Sequence, residues 1–228
     1  MEYAQARMQA RLGRRPGDAL WRRLSATRSL AGVLATARDG GLAAWLDGVN
    51  EGGTVHTFEL AMRANWRREV ARTARWMPAP WRAAVSATAA LIDLPAWSWL
   101  AAGRPAQPWM HDDPALERGA NSDAAAPLTT VHAWDARWRA CWPPGDDDAE
   151  ALARFAQRLG ACLGAALSRP ADGLQARSRP VERFSLQCFR RLSGQPAAAF
   201  PYLCLVAIDL RRLQACLVLR TLALESSP

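Results

Sequence analysis

Apolar residues recur at steps of three and four through most of this chain. Between Pro196 and Arg220, Leu203, Val206, Ala207, Leu210, Leu213 and Leu217 fall on one face of what the spacing predicts to be a single long helix. Asp209, Arg212 and Arg220 lie off that stripe. Asp209 stands three residues before Arg212, a separation at which opposite charges on a helix pair for about 0.2–0.5 kcal/mol. A second long helix is predicted from Thr54, a candidate N-cap, to Trp76, with Phe58, Met62, Trp66, Val70 and Thr73 as its buried stripe and Met77-Pro78-Ala79-Pro80 as its stop.

Shorter helices precede and follow. One covers residues 2–14, a second carries Leu20, Trp21 and Leu24, and a third runs from Ser25 to Asp39, where Gly40-Gly41 suits a left-handed cap. Helices are expected at about 81–92 and after Pro95, then a stripe of Trp134, Trp138 and Trp142. After Pro143-Pro144-Gly145, the acid run Asp146-Asp147-Asp148 fits the positive end of the next helix, which carries Leu152, Phe155, Leu159, Cys162, Leu163 and Leu167. A loop at 169–180 and a short helix with Phe184, Cys188 and Leu192 complete the set. No run alternates with period two in β-branched residues, so the fold class is all-α.

Residues 104–127 shift to Gly, Pro, Asp, Asn, Ser and Ala with little periodicity, the signature of a linker or exposed loop. The expected division is therefore an N-terminal helical bundle at 1–103 and a C-terminal bundle at 128–228. Ile92-Asp93-Leu94 and Ile208-Asp209-Leu210 stand near the end of each half, which suggests a pseudo-repeat.

The chain has 228 residues, half of them hydrophobic, enough for a substantial core. All 29 of its basic side chains are arginines, so the net charge of +8 reflects codon usage as well as any anionic partner. Those arginines are spread among alanines and form no dense block, which argues against nucleic-acid binding. Met1-Glu2-Tyr3 opens no apolar leader, and Asp209, Arg211 and Arg212 interrupt the best candidate for a span of about 20 apolar residues. A cytoplasmic location is expected, at most peripheral to the inner face of a membrane. Cys141, Cys162, Cys188, Cys204 and Cys216 form no Cys-x-x-Cys pair and read as reduced thiols.

Candidate chemistry is sparse. His111-Asp112-Asp113, with His132 and Asp135 downstream, holds metal-ligand residue types without a supporting helical His-x-x-x-His, and loop acids are the simpler explanation. Ser25, Ser29 and Ser86 lack a Gly-x-Ser-x-Gly elbow, and no Gly-rich phosphate loop is present, so neither catalysis, a metal, nor a cofactor is expected. The tryptophan stripe reads as core, not as a base-stacking platform. Asp93 and Asp209 read as buried structural acids that bond helix ends or arginines.

Taken in order, Tyr3-Ala-Gln-Ala-Arg-Met-Gln-Ala-Arg11, Leu34-Ala-Thr-Ala-Arg-Asp39, Trp45-Leu46, Arg63 with Trp66-Arg-Arg-Glu69, Trp81-Arg82, Leu91-Ile-Asp-Leu94 and Phe200-Pro-Tyr-Leu-Cys-Leu-Val-Ala-Ile-Asp-Leu-Arg-Arg-Leu213 resemble the C/d family of socket proteins from archaeal-type and vacuolar-type (V-type) rotary ATPases. The resemblance covers residues 1–103 best and 196–222 next. It implies two, or at most three, pseudo-repeated helical bundles, each closing on a helix with an acidic residue. It also implies a non-catalytic socket that joins the central stalk to the membrane rotor ring of a proton- or sodium-transporting machine, with other protein subunits as partners. For such a socket, Arg63, Arg67, Arg211 and Arg212 on the solvent faces of the long helices are the expected partner interface. The alternative is a helical adaptor with this fold and another partner, or a binder of acidic surfaces or nucleic acid.

Overall fold

The structure, a computed structural model, describes residues 1–120, 130–144, 147–167 and 174–225. Among these residues every regular element is helical, as the period of the apolar residues predicts. The α-helices of the first half are α1 (Glu2–Leu12), α2 (Asp18–Ala26), α3 (Leu30–Ala37), α4 (Val55–Trp76), α5 (Ala79–Ala87) and α6 (Leu94–Ala101). They continue with α7 (Pro108–His111), α8 (Pro114–Ala120), α9 (Val131–Arg139), α10 (Asp147–Leu167), α11 (Leu174–Arg191) and α12 (Ala199–Glu225).

Local signals set most of the boundaries. Thr54 and Thr57 close a reciprocal cap on α4, each hydroxyl accepting the other's backbone N–H, at 3.3 and 2.8 Å. Met77 turns extended before Pro78 and ends that helix. Ser29 caps α3 by accepting the Gly32 N–H, which divides the expected third helix in two: α2 ends at Ala26 and Thr27 is extended. Gly41 takes the left-handed turn after α3, with φ of 85°. In the second half α11 begins at Leu174 and carries Pro180 inside it, where the sequence suggested a loop; residues 168–173 lie outside the described residues.

Most of the predicted stripe residues pack into the core, while Ala207 of α12 and Trp142, which lies beyond the end of α9, are half-buried. Phe58, Met62, Trp66, Val70 and Thr73 of α4 are buried, as are Leu203, Val206, Leu210, Leu213 and Leu217 of α12. Trp134 and Trp138 are core residues whose indole N–H groups donate to the carbonyls of Ala87 and Ala84, both at 3.1 Å. Trp138 also meets Phe200 edge to face, with ring centroids 5.3 Å apart.

The expected division into bundles at 1–103 and 128–228 gives way to a shared core. α12 lies directly against α4 and α11, and also touches α1, α2 and α3, so one continuous apolar cluster runs from Ala4 to Leu217. The reason is that α4 and α12 each carry a buried stripe too long for a small bundle to cover alone. Part of the expected linker is helical. α7 folds back on α4 with α8 packed against it, and Met110 and Leu116 join Ala96 in a satellite cluster rimmed by Trp97, Trp99 and Trp109. Residues 121–129 of that segment lie outside the described residues.

No single helix among the described residues is long and apolar enough to cross a membrane; the helical stretch Ala79–Ile92 with Leu94–Ala101 meets the length and composition only as a pair bent by 51°.

A shared core should unfold as one unit. Urea titrations followed by tryptophan fluorescence and by far-ultraviolet circular dichroism are expected to give coincident single transitions, and Phe200→Ala should lower stability by about 3–5 kcal/mol in both. Two separated transitions would show that the halves fold independently.

Candidate functional site

The polar residues of greatest structural consequence lie inside the fold, at the joints between helices. α4 presents Arg63 and Arg67 one turn apart on the side that faces the end of α5 and the returning 104–120 segment. Arg63 is almost fully buried, 2% exposed. Its guanidinium donates to Asp113 Oδ2 at 2.6 Å, to Asp93 Oδ1 at 2.5 Å and to the Ile92 carbonyl at 2.8 Å, and its plane sits over the Trp109 ring at 4.4 Å. Arg67 donates to both oxygens of Asp113 at 2.9 Å and to Asp93 at 2.5 Å. Two guanidiniums thus share two carboxylates through short, charge-assisted hydrogen bonds.

The two acids differ in how they balance burial. Burial pushes Asp113 up, but hydrogen bonds from Arg67, Arg63 and the Ala115 N–H together hold its carboxyl below the usual range. For Asp93 burial prevails over the attraction of Arg67 and Arg63, and its carboxyl is raised.

A second joint forms around α12. Asp209 accepts a bidentate pair from Arg15, at 2.6 and 2.8 Å, from the turn after α1. Arg15 also pairs with Glu182 of α11 at 2.8 Å, and Glu182 accepts from Arg212 at 2.6 Å. Burial raises Asp209 despite Arg15 and Arg212. A third joint is Glu69 of α4, which accepts from Arg11 at 2.8 Å, from Arg72 at 2.9 Å and from the Tyr202 hydroxyl in a short hydrogen bond. Burial and the adjacent Glu69 carboxylate raise the tyrosine hydroxyl, while Arg11 acts in the opposite sense. A cleft of about 160 Å³ lined by Arg11, Arg14, Trp45, Tyr202 and Asp209 opens over these last two joints.

Compared with protein-family models, curated proteins and solved structures, the chain matches none.

Several expected roles change with this geometry. Arg63 and Arg67 do not form a solvent-facing interface, because the 92–113 segment folds over them and uses their charge. Arg212 is buried and engages Glu182 and Ser178 on α11, not Asp209, which Arg15 already occupies. Of the four arginines, only Arg211 is exposed, held lightly by Gln214 at 3.2 Å. Asp209 is buried and Asp93 half-buried, and each carboxylate is bonded to arginine. The His111, Asp112, Asp113, His132 and Asp135 set does not assemble; Asp113 is committed to arginines, Asp135 pairs with Arg139, and no metal-ligand group of three exists among the described residues.

The roles of Asp113, Arg15, Glu69 and Glu182 as partners in the buried joints were not read from the sequence. One signal existed: Asp113 precedes Pro114, and an acid before a proline marks a helix start, where Asp113 indeed accepts the Ala115 N–H at 3.0 Å. What Asp113 does for Arg63 could not be read there, since the partners are 50 residues apart.

Asp113→Asn should destabilise by about 3–5 kcal/mol at neutral pH, because it leaves two guanidiniums to share Asp93 and removes the more deeply buried of their two counter-charges. Asp113 is depressed in the folded state, so its contribution is full above the unfolded value of about 3.9 and is lost as pH falls through the folded value. The stability gap between wild type and variant, measured by urea unfolding from pH 7 downward, is therefore expected to narrow in acid. A constant gap would mean that the carboxylate charge is not what Arg63 and Arg67 require.

Proposed function

We propose that this chain is a non-catalytic helical assembly protein, similar in role to the socket that joins the central stalk to the membrane rotor ring in vacuolar-type and archaeal-type ATPases. A single observation carries it: the aspartates of both Ile-Asp-Leu segments, Asp93 and Asp209, are gripped by guanidiniums from another part of the chain, Arg63 and Arg67 in one case and Arg15 in the other. The family that the sequence resembles closes each of its pseudo-repeated bundles on a helix with an acidic residue. Here each acid acts as an anchor between helices, which suits a body that transmits force better than one that turns over a substrate.

In that role the chain carries no ion itself and takes no cofactor. Its partners are other protein subunits, and it meets the inner face of the membrane only through them. The joints buried between α1, α4, α11 and α12 stiffen the body, and recognition is left to groups outside the joints.

The test is affinity purification of the tagged full chain from its native cells in mild detergent. Recovery of the stalk and rotor-ring subunits of a rotary ATPase in stoichiometric amounts is the expected result, together with no ATP hydrolysis by the isolated chain. Stoichiometric recovery of an unrelated protein, with no ATPase component, would replace this role with that of a separate helical adaptor.

A further inference from the structure

Arg63, Arg67 and Arg212 are used inside the fold, and three other arginines line a groove on another face. α10 and α11 lie side by side and leave between them a groove of about 530 Å³. Its floor is apolar: Phe155 and Phe184 stack across it, with ring centroids 5.6 Å apart and planes within 7°, and Cys188 and Leu192 continue the strip. Its walls are basic. Arg154 and Arg158 stand one turn apart on α10, Arg191 stands on α11, and none of the described lining residues is acidic. Arg154 has one exposed partner, Glu150, at 3.0 Å, whereas Arg158 and Arg191 have no ion pair among the described residues.

We propose that this groove docks an acidic, apolar-faced helix of a partner protein. The inference rests on the assembly role, since it names the face by which such a protein would be held. Three features select this occupant. The apolar strip Phe184, Cys188 and Leu192 has the one-turn spacing that receives a helix's leucine ridge, and all three are half-buried. On α10 the lining runs from Ala151 to Arg158, about 10 Å or two helical turns, a length suited to a helix side rather than a compact ion. The uncompensated guanidiniums flank the strip, so carboxylates on either side of the incoming ridge would find Arg158 and Arg191. Burial raises the Cys188 thiol while the nearby charges of Arg191 and Arg158 pull it the other way.

The experiment uses the full-length protein and a fluorescein-labelled synthetic helix with a leucine stripe flanked by glutamates, read by fluorescence anisotropy at moderate salt. Saturable binding is expected, weakened by about tenfold or more in the Arg158→Glu, Arg191→Glu double variant and largely kept in Arg158→Lys, Arg191→Lys. Circular dichroism of the double variant should match wild type, because both arginines are exposed. No binding to wild type, or equal binding to the charge-reversed variant, overturns the proposal. So does binding of phosphatidylglycerol vesicles that depends on the two arginines while the peptide fails to compete, which would make the groove a membrane face. Introducing the double variant into the purification from native cells separates the two ideas: ATPase components retained by the variant sink the groove and leave the assembly role standing. Peptide binding that depends on these arginines, with no ATPase component recovered by wild type, sinks the assembly role and leaves the groove.

Discussion

A guanidinium enclosed by protein must find its counter-charge within the fold, and Arg63 imposes that condition on everything around it. Taking such a charge out of water costs several kcal/mol unless geometry and hydrogen bonds compensate. Asp93 and Asp113 supply both, and they do so only if the 92–113 segment folds back over α4. The path of that segment, the position of α7 and α8 and the satellite cluster of Ala96, Met110 and Leu116 all follow from satisfying one buried side chain.

The same logic repeats where the chain's ends meet its middle. Arg15 reaches across from the turn after α1 to Asp209 on α12 and to Glu182 on α11, and Arg11 joins Glu69 on α4 to Tyr202 on α12. Gln214 of α12 adds a short hydrogen bond to Glu59 of α4. Because every basic side chain is arginine, each joint gains a planar, multi-donor head that can serve two acids at once, which a lysine ammonium matches poorly.

Internal consumption of charge also determines what is left for partners. A net charge of +8 read from the sequence suggests a basic surface in general, yet several arginines with the most suggestive positions are spent within the body. The exposed arginines that line the α10–α11 groove flank an apolar floor, so attraction and burial coincide there.

The helical class, the two long stripes on α4 and α12 and the tryptophan core of α9 could be read from the sequence, because each depends on residues within a few positions of one another. Spacing of three and four makes a face, and a face of large apolar residues must be covered. Which helix covers which face could not be read that way. α12 covers α4, merging two expected bundles into one core, and Asp113, placed in an apparent linker, becomes the acid that Arg63 needs. An arginine on a helix shows the same local pattern whether water or a carboxylate 50 residues away receives it; only the tertiary fold, by closing off the solvent, decides between them.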